Sequence, residues 1–545
     1  MVNIWKTVAK YLPFLLLCSQ SANAPHETAA TAPSNRKKDV VKLHKRIASV
    51  VALAMAGTFT LFGSTAAQAA SQTTLTIGSL QDVKSWDPAQ AHIGHFMPYF
   101  QAAYDGLLIR DITGTPKPNL ATKWSWSTDR TELTLTLRNG ISFTNGEAFN
   151  AAAAKANLDN NRKSNGPQAP QLTEVTSVDV ISPTELKIKL SSPNPALLTY
   201  LSGSSGFMAA PSTLGTAALS ATPVGSGPYI LNTSKSSKGS TYVFDANPKY
   251  WDKKKQKFQT VTFKVITDTT ARLNAILSGQ LDATLLDYPT TAPAVSGGLT
   301  LKQSFVDWSG ILLWDRAGNK VKALGDERVR QAINMAFDRP AMLKALLGGT
   351  GAVTNQVFSP TSGAYSDALD KSYPYDPKKA KELLKAAGYP NGFELPMPNM
   401  AFANATLSTF ITQYLKEIGV TVKWQDVSPA NFVGELRSGK YPASWFQLFQ
   451  GSPWEAMQQM ITPNATWNVL KSTDPEITAV LNKIAENPNS LKAQSKVINQ
   501  LVTKKAWFVP FFRLPQQFFV NSHVNVTPQP QNAVPYLYNY SPSGK

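Results

Sequence analysis

Apolar and polar positions follow two different periods along this chain, and the change of period divides it. In the first part, Leu75 to Ile77 predicts a strand, which Trp86-Asp87-Pro88 breaks. Tyr99 to Leu108 predicts a short helix, and Pro116 and Pro118 an extended linker. Leu133, Leu135 and Leu137 then alternate with polar residues, the period of a half-buried strand. Asn139-Gly140 predicts a hairpin turn with Ile141 and Phe143 alternating on the return, and Asn145-Gly146 a second tight turn. Val178, Val180, Leu186, Ile188 and Leu190 extend the β pattern, so this stretch reads as a mostly antiparallel subdomain.

Beyond about Pro211 helical stripes take over. Arg272 to Leu277 reads as helix, Gly279 as its stop, and Leu281 to Leu285 as a strand. Val329, Ile333 and Phe337 step by four and share one face of a helix that starts near Glu327 and reads on to the glycines after Leu347. A shorter helix opens at Asp376-Pro377 and closes at Gly388: Asp caps a first-turn amide, Pro fits the first helical position, and Gly tolerates the left-handed exit. Leu407, Phe410, Ile411, Tyr414, Leu415 and Ile418 form another stripe, ended by Gly419 before Val420, Val422 and Trp424 alternate. Phe432 to Leu436 is helical, and Tyr441 to Phe449 is extended. Helix, glycine, strand, repeated, predicts α/β lobes whose sheets are covered by helices. The tail from Thr527 is rich in Pro, Gln, Asn and Tyr and is expected to pack without regular structure.

With 545 residues the chain is long enough for several cores. Lys42, Lys45 and Arg46 precede an apolar run from Ile47 to Phe62, followed by Ala67-Gln68-Ala69. Basic region, apolar stretch and small-x-small site describe a secretory signal over 41–69, cleaved near Ala69. A membrane span is the alternative, but the run is short and diluted by Gly57, Thr58 and Thr60. Residues 1–40 carry a second short apolar stretch, Tyr11 to Cys18, and read as an extension ahead of a start at Val41. Cys18 is the only cysteine, so a chain beginning near Ala70 has no disulfide, thiolate metal site or cysteine nucleophile.

The whole chain carries 53 basic and 35 acidic residues, a formal +18. Its one tight basic cluster, Lys253-Lys254-Lys255 with Lys257, reads as a solvated turn rather than a nucleic-acid surface, and no nucleic-acid partner is expected. No G-x-S-x-G or H-E-x-x-H motif occurs, and beyond residue 69 the histidines are His92, His95 and His523. Gly225 and Gly227 lack the Lys-Ser/Thr of a phosphate loop and are expected to let the chain cross between lobes. Tyr250-Trp251 reads as a core anchor.

Nine short motifs in fixed order carry a resemblance. They include Leu80 to Pro88, Tyr104-Asp105-Gly106-Leu107, Pro118 to Trp124, Leu137 to Gly146, Val224 to Tyr229 and Asn247 to Trp251. Gly279 to Asp282, Val329 to Ile333 and the Asp376-Pro377 helix continue the order. Together they resemble the extracytoplasmic solute-binding proteins of family 5, the peptide/nickel type that serves ATP-binding cassette importers. The resemblance implies an α/β, two-lobed periplasmic binding protein fold (type II, cluster C-like) with an extra β-rich subdomain. It implies lobe I at 71–112, 206–305 and 508–545, the subdomain at 113–205, and lobe II at 306–507. It further implies a periplasmic monomer that is not an enzyme, that needs no cofactor or metal, and that encloses a small solute. Permease and ATPase would be separate chains.

By the same resemblance three segments face the cleft. One is Ala89 to Phe96, with His92 and His95; another is Phe305 to Leu312, with Asp307 and Trp308. The third, Trp445 to Trp454, holds Trp445, Phe446, Phe449, Gln450, Ser452 and Trp454. Peptide-binding relatives commonly place an acid in the third segment to hold the ligand's amino group; here Phe446 to Pro453 has none, and Glu455 is the nearest carboxylate. The missing acid counts against ordinary free peptides, and the aromatic, amide-bearing segment suits sugars, capped or modified peptides, or other amphipathic solutes; the alternative to a peptide or peptide-like solute is an oligosaccharide, an opine-like compound or a metal chelate.

Overall fold

The computed structural model describes residues 73–91, 94–428, 431–529 and 532–544. The expected extension (1–40), the signal sequence (41–69), Cys18 and His92 lie outside the described residues.

Two long strands, Thr300–Leu313 and Phe508–Val520, run antiparallel side by side and tie the molecule together. At one end of this pair, Ala283–Leu286 adds to the Phe508–Val520 strand, and Thr74–Ser79, Thr260–Val265, Thr241–Ala246 and Tyr229–Leu231 follow in that order. At the other end, Ala443–Phe449 pairs with Asp307 to Leu313. The ladder slips register between Phe305 and Asp307 and again between Ser309 and Gly310. Pro515, which has no amide to donate, sits opposite Phe305. The ladder is therefore weakened between Phe305 and Gly310.

The buried side chains fall into separate groups. Trp86, Tyr99, Phe100, Tyr104, Phe244 and Phe263 lie in the core of the first lobe. Trp308, Trp314, Val329, Ile333, Phe337 and Leu415 lie in that of the second. Leu133, Leu135, Val178, Leu186 and Ile188 belong to a third, under a four-stranded antiparallel sheet. Tyr250 and Trp251 anchor the first lobe to this subdomain, and both donate to buried Asp105, from Tyr250 Oη and Trp251 Nε1 at 2.9 Å.

The predicted elements need five corrections. The helix read as Tyr99 to Leu108 is Met97–Ala103, and Leu108–Arg110 is a strand paired with Pro116–Pro118. No hairpin forms at Asn139-Gly140, because Glu132–Leu137 already has strands on both edges, Ala121–Trp126 and Glu185–Leu190. The chain instead folds back at Asn145-Gly146, where the Phe143 amide bonds Glu147 O and the Phe149 amide bonds Ile141 O. The single helix read from Glu327 is two, Glu327–Met335 and Arg339–Leu347, because Asp338 caps the second through the Ala341 amide. Gly225 and Gly227 do not lead the chain between lobes. A Cβ on either would lie 2.1 or 2.4 Å from the Ala103 backbone, so they permit a close approach within the first lobe. The tail includes a short strand, Tyr540–Pro542, paired with Val524–Val526.

Candidate functional site

Some of the candidate residues gather at the register slips of the two long strands. Asp307 lies directly across the ladder from Phe449, and Ser309 from Gln447, so these four share one face of the sheet. Gln447 Nε2 and Gln516 Nε2 both donate to Asp307 Oδ2, at 3.0 and 2.9 Å. Asp307 is only 8% exposed, and burial raises its pKa above the ordinary carboxylate value, the two amide bonds partly opposing. Around it Gln447, Phe449 and Gln516 keep partial exposure.

Gln450 comes next. Its backbone amide bonds Val306 O at the register slip, 2.7 Å away, which fixes the end of the Ala443–Phe449 strand against the hinge. Gln450 is 1% exposed, yet among the described residues neither its Oε1 nor its Nε2 has a hydrogen-bond partner. Trp454 Nε1 and Trp308 Nε1 are likewise buried and unpartnered. A buried donor or acceptor without a partner costs roughly 1–3 kcal/mol.

Ser452 caps the helix Pro453–Met460 in a reciprocal box with Glu455, whose Oε2 accepts the Ser452 amide at 2.6 Å. The same carboxylate reaches across the lobes to Arg110 Nη2 at 3.8 Å. Arg110 itself is fixed by Ser202 Oγ and Thr199 O. One turn along the helix, Gln458 Oε1 accepts the hydroxyl of Tyr200 from the subdomain at 2.5 Å. The first turns of this helix are thus where the lobes touch.

Other candidates stand apart. Trp308 is completely buried, edge-on to Phe508, and Trp445 is buried with its indole N–H given to Ser309 Oγ at 2.8 Å. Phe446 stacks on Trp467 within the second lobe. His95 lines a small cavity of the first lobe with Ser79, Tyr99 and Tyr540. Burial, helped by the Arg272 charge, lowers its pKa to about 4. Among the described residues no group of three His, Cys, Asp or Glu is placed to hold a metal ion. A second cavity borders Asp105, Tyr250 and Lys255, where the carboxylate already accepts from Ser226, Tyr250 and Trp251. Gln516, Arg110, Tyr200 and Gln458 were not expected at the site. Gln516, Arg110 and Tyr200 are brought in from distant parts of the chain, and Gln458 lies one turn past Trp454 on the helix Pro453–Met460 with no motif to mark it.

The model of bacterial extracellular solute-binding proteins, family 5 (middle), matches residues 115–468. The chain belongs to this family. As a family 5 solute-binding protein it is an extracytoplasmic binder of small solutes, of the class that serves ABC transporters, and the family to which it belongs is one of binding proteins. The glutathione-binding protein GsiB of Escherichia coli (strain K12) is 28% identical over 427 residues, 75% of this chain and 79% of its own. HbpA2 from Haemophilus parasuis matches with a TM-score of 0.75 at 20% identity, covering 86% of this chain and 99% of that one. DppA from Helicobacter pylori, solved with the peptide STSA, matches with a TM-score of 0.68 at 20% identity over 86% and 98%. The structural likenesses show the fold, the two-lobed α/β architecture of periplasmic binding proteins. Among the described residues no helix is long and apolar enough to cross a membrane.

Proposed function

We propose that this protein captures a peptide or peptide-like solute between its two lobes and delivers it to an ABC permease. It works in the periplasm as a monomer after removal of a signal sequence near Ala69. It leaves the solute chemically unchanged, and the permease and its ATPase are separate chains. The bodies that move are 71–112 with 206–305 and 508–545, carrying the subdomain 113–205, against 306–507, flexing at the slipped ladder around Val306 and Pro515. A solute drives closure only through its preference for the closed arrangement.

The observation that carries this reading is the buried Gln450 amide, an acceptor and a donor pair with no partner among the described residues. A peptide group offers the matching N–H and C=O. GsiB, named for glutathione, and DppA, solved with a peptide, support the same ligand class. Trp454, with its free indole N–H, and half-buried Phe449 would complete the lining.

The test is calorimetric titration of wild type and Gln450→Leu with peptides selected by thermal shift from a di- and tripeptide library, since a ligand of the native state raises its melting temperature. The variant should keep its fold and lose about tenfold or more in affinity, roughly 1.4 kcal/mol. Unchanged affinity, or no peptide that stabilises the wild type, would refute the proposal.

A further inference from the structure

Asn139, Asn145, Asn165 and Asn391 are each followed by glycine. Such a pair reacts with itself when the glycine backbone nitrogen attacks the asparagine Cγ. Ammonia leaves, and the cyclic imide that forms takes up water at either carbonyl, giving aspartate or isoaspartate. Glycine favours this because no Cβ shields its nitrogen. The fold decides the rest: the nitrogen must be free of other partners, and the asparagine side chain must lie against it.

Three of the four glycine amides are engaged elsewhere. Gly146 N donates to Phe143 O at 2.9 Å, Gly392 N to Tyr389 O at 3.0 Å, and Gly166 N to Ser164 Oγ at 3.0 Å. Asn145 is also turned away, since its Oδ1 accepts the Glu147 amide and its Nδ2 donates to Glu147 Oε1. Gly166 and Gly392 are wedged against backbone: a Cβ on either would lie 1.8 Å from Ala89 O or 1.7 Å from Gly419 O. Gly140 is different. Among the described residues its N–H bonds only to Asn139 Oδ1, at 2.8 Å, which lays the side-chain carbonyl against the nitrogen that attacks it. Both residues are exposed, and a Cβ on Gly140 would meet nothing within 4 Å. The missing hairpin is the cause, because a turn outside any ladder leaves its amide uncommitted.

We infer that Asn139 is a site of spontaneous deamidation, selected over the other three by the fold. Solvent base takes the Gly140 amide proton, the N–Cγ bond forms, and the Cγ–Nδ2 bond breaks with release of ammonia. Water then reopens the ring, so the net change is asparagine plus water to an acid plus ammonia, with no oxidation or reduction. The product falls at a joint. The Arg138 amide bonds Leu120 O at 2.7 Å, and its guanidinium lies 4.2 Å from the ring of Trp251, which anchors the first lobe to the subdomain. On the other side Ile141 O accepts the Phe149 amide at 2.8 Å. Isoaspartate adds one carbon to the main chain between these fixed points, and either product sets a carboxylate next to Arg138. The inference stands independently of the solute captured.

The experiment is peptide mapping by mass spectrometry of the folded chain during incubation in mildly alkaline buffer, with the same chain in denaturant as reference. In the folded chain, conversion at Asn139 should run about tenfold or more ahead of Asn145, Asn165 and Asn391. It should quicken as pH rises, because the attacking nitrogen must lose its proton. In denaturant the four sites should converge, since the contacts that separate them are gone. Isoaspartate should appear with aspartate, as ring opening requires. Equal folded rates at all four sites, or a slower Asn139, would overturn the inference. So would aspartate formed without isoaspartate, which is direct hydrolysis of the side chain, or an advantage of Asn139 that persists undiminished in denaturant. Asn139→Gln should abolish the signal at this position and keep its melting temperature on incubation, while that of wild type falls as the product accumulates. A wild type that converts at Asn139 yet melts unchanged would overturn the effect assigned to the joint.

Discussion

Asp105 and Asp307 are both buried aspartates, and they are treated in opposite ways. Asp105, in the first lobe, accepts from Tyr250 Oη, Trp251 Nε1 and Ser226 Oγ, with Lys255 close by. Burial still raises its pKa, but the bonds from Trp251, Tyr250 and Ser226 and the Lys255 charge all oppose that rise. Asp307 has two glutamine amides and, among the described residues, no cation. A saturated carboxylate is a structural joint, here between the first lobe and the subdomain. Asp307, at a register slip of the long strands, is held by the two amides alone among the described residues. The same contrast separates Asn157, whose amide is bonded on both sides, from Gln450, whose amide is bonded on neither.

The comparison can be broken most easily at Asp105. Asp105→Ala leaves two buried donors, Tyr250 and Ser226, and the half-buried Trp251 without this acceptor, and should lower unfolding free energy by about 3–5 kcal/mol, as in other broken buried networks. Denaturant unfolding that matches wild type would erase the distinction drawn between the two aspartates.

His95 comes next. Its folded pKa, about 4, lies below the unfolded value of 6.5. The unfolded chain therefore binds the extra proton first. Stability is lost as pH falls through 6.5 and the loss levels off near 4, up to about 3 kcal/mol in all. His95→Gln should flatten the pH dependence of melting between 6.5 and 4, and a variant with the wild-type slope would contradict this. Asp307 has the opposite sign. Its raised pKa means the folded state holds a proton longer, so its contribution declines as pH rises through that pKa. Gln447, Phe449 and Gln516 around it do not titrate.

Smaller effects sharpen the picture further. Gln450→Leu removes an unpaired amide and should stabilise the ligand-free protein by about 1 kcal/mol while weakening binding. A destabilised variant would mean that the amide has partners in solution. Glu455→Gln keeps the helix cap but removes the charge facing Arg110. It should cost closure only about 0.5–1 kcal/mol, measured as a modest rise in ligand dissociation constant. A tenfold or larger rise would make the Arg110–Glu455 contact a principal clasp.

Local chemistry made much of this legible. The helix Pro377–Ala386 starts where Asp376 caps the Lys379 amide at 2.8 Å and is followed by Gly388 in the left-handed region. Val329, Ile333 and Phe337 are all buried, as their spacing predicts. The helix Ala151–Lys163 escaped notice because its alanine-rich turns carry no contrasting stripe. Asn139-Gly140 misled because a turn signal says nothing about whether a free strand edge awaits the return. The site was legible only in pieces. Phe305 to Leu312 and Trp445 to Trp454 are neighbouring strands, but that Asp307 faces Phe449, and that Gln516 reaches it from 209 residues away, is decided by ladder register. No sequence window spans it.

The clamp itself is most directly tested by small-angle scattering of the mature chain, alone and with a saturating peptide selected from the di- and tripeptide library. Few polar contacts, chiefly Arg110 with Glu455 and Tyr200 with Gln458, join the lobes across the helix Pro453–Met460. The free chain should therefore scatter as a more open particle and contract, on adding peptide, to the profile of the arrangement described above. Identical profiles with and without bound peptide would contradict the account.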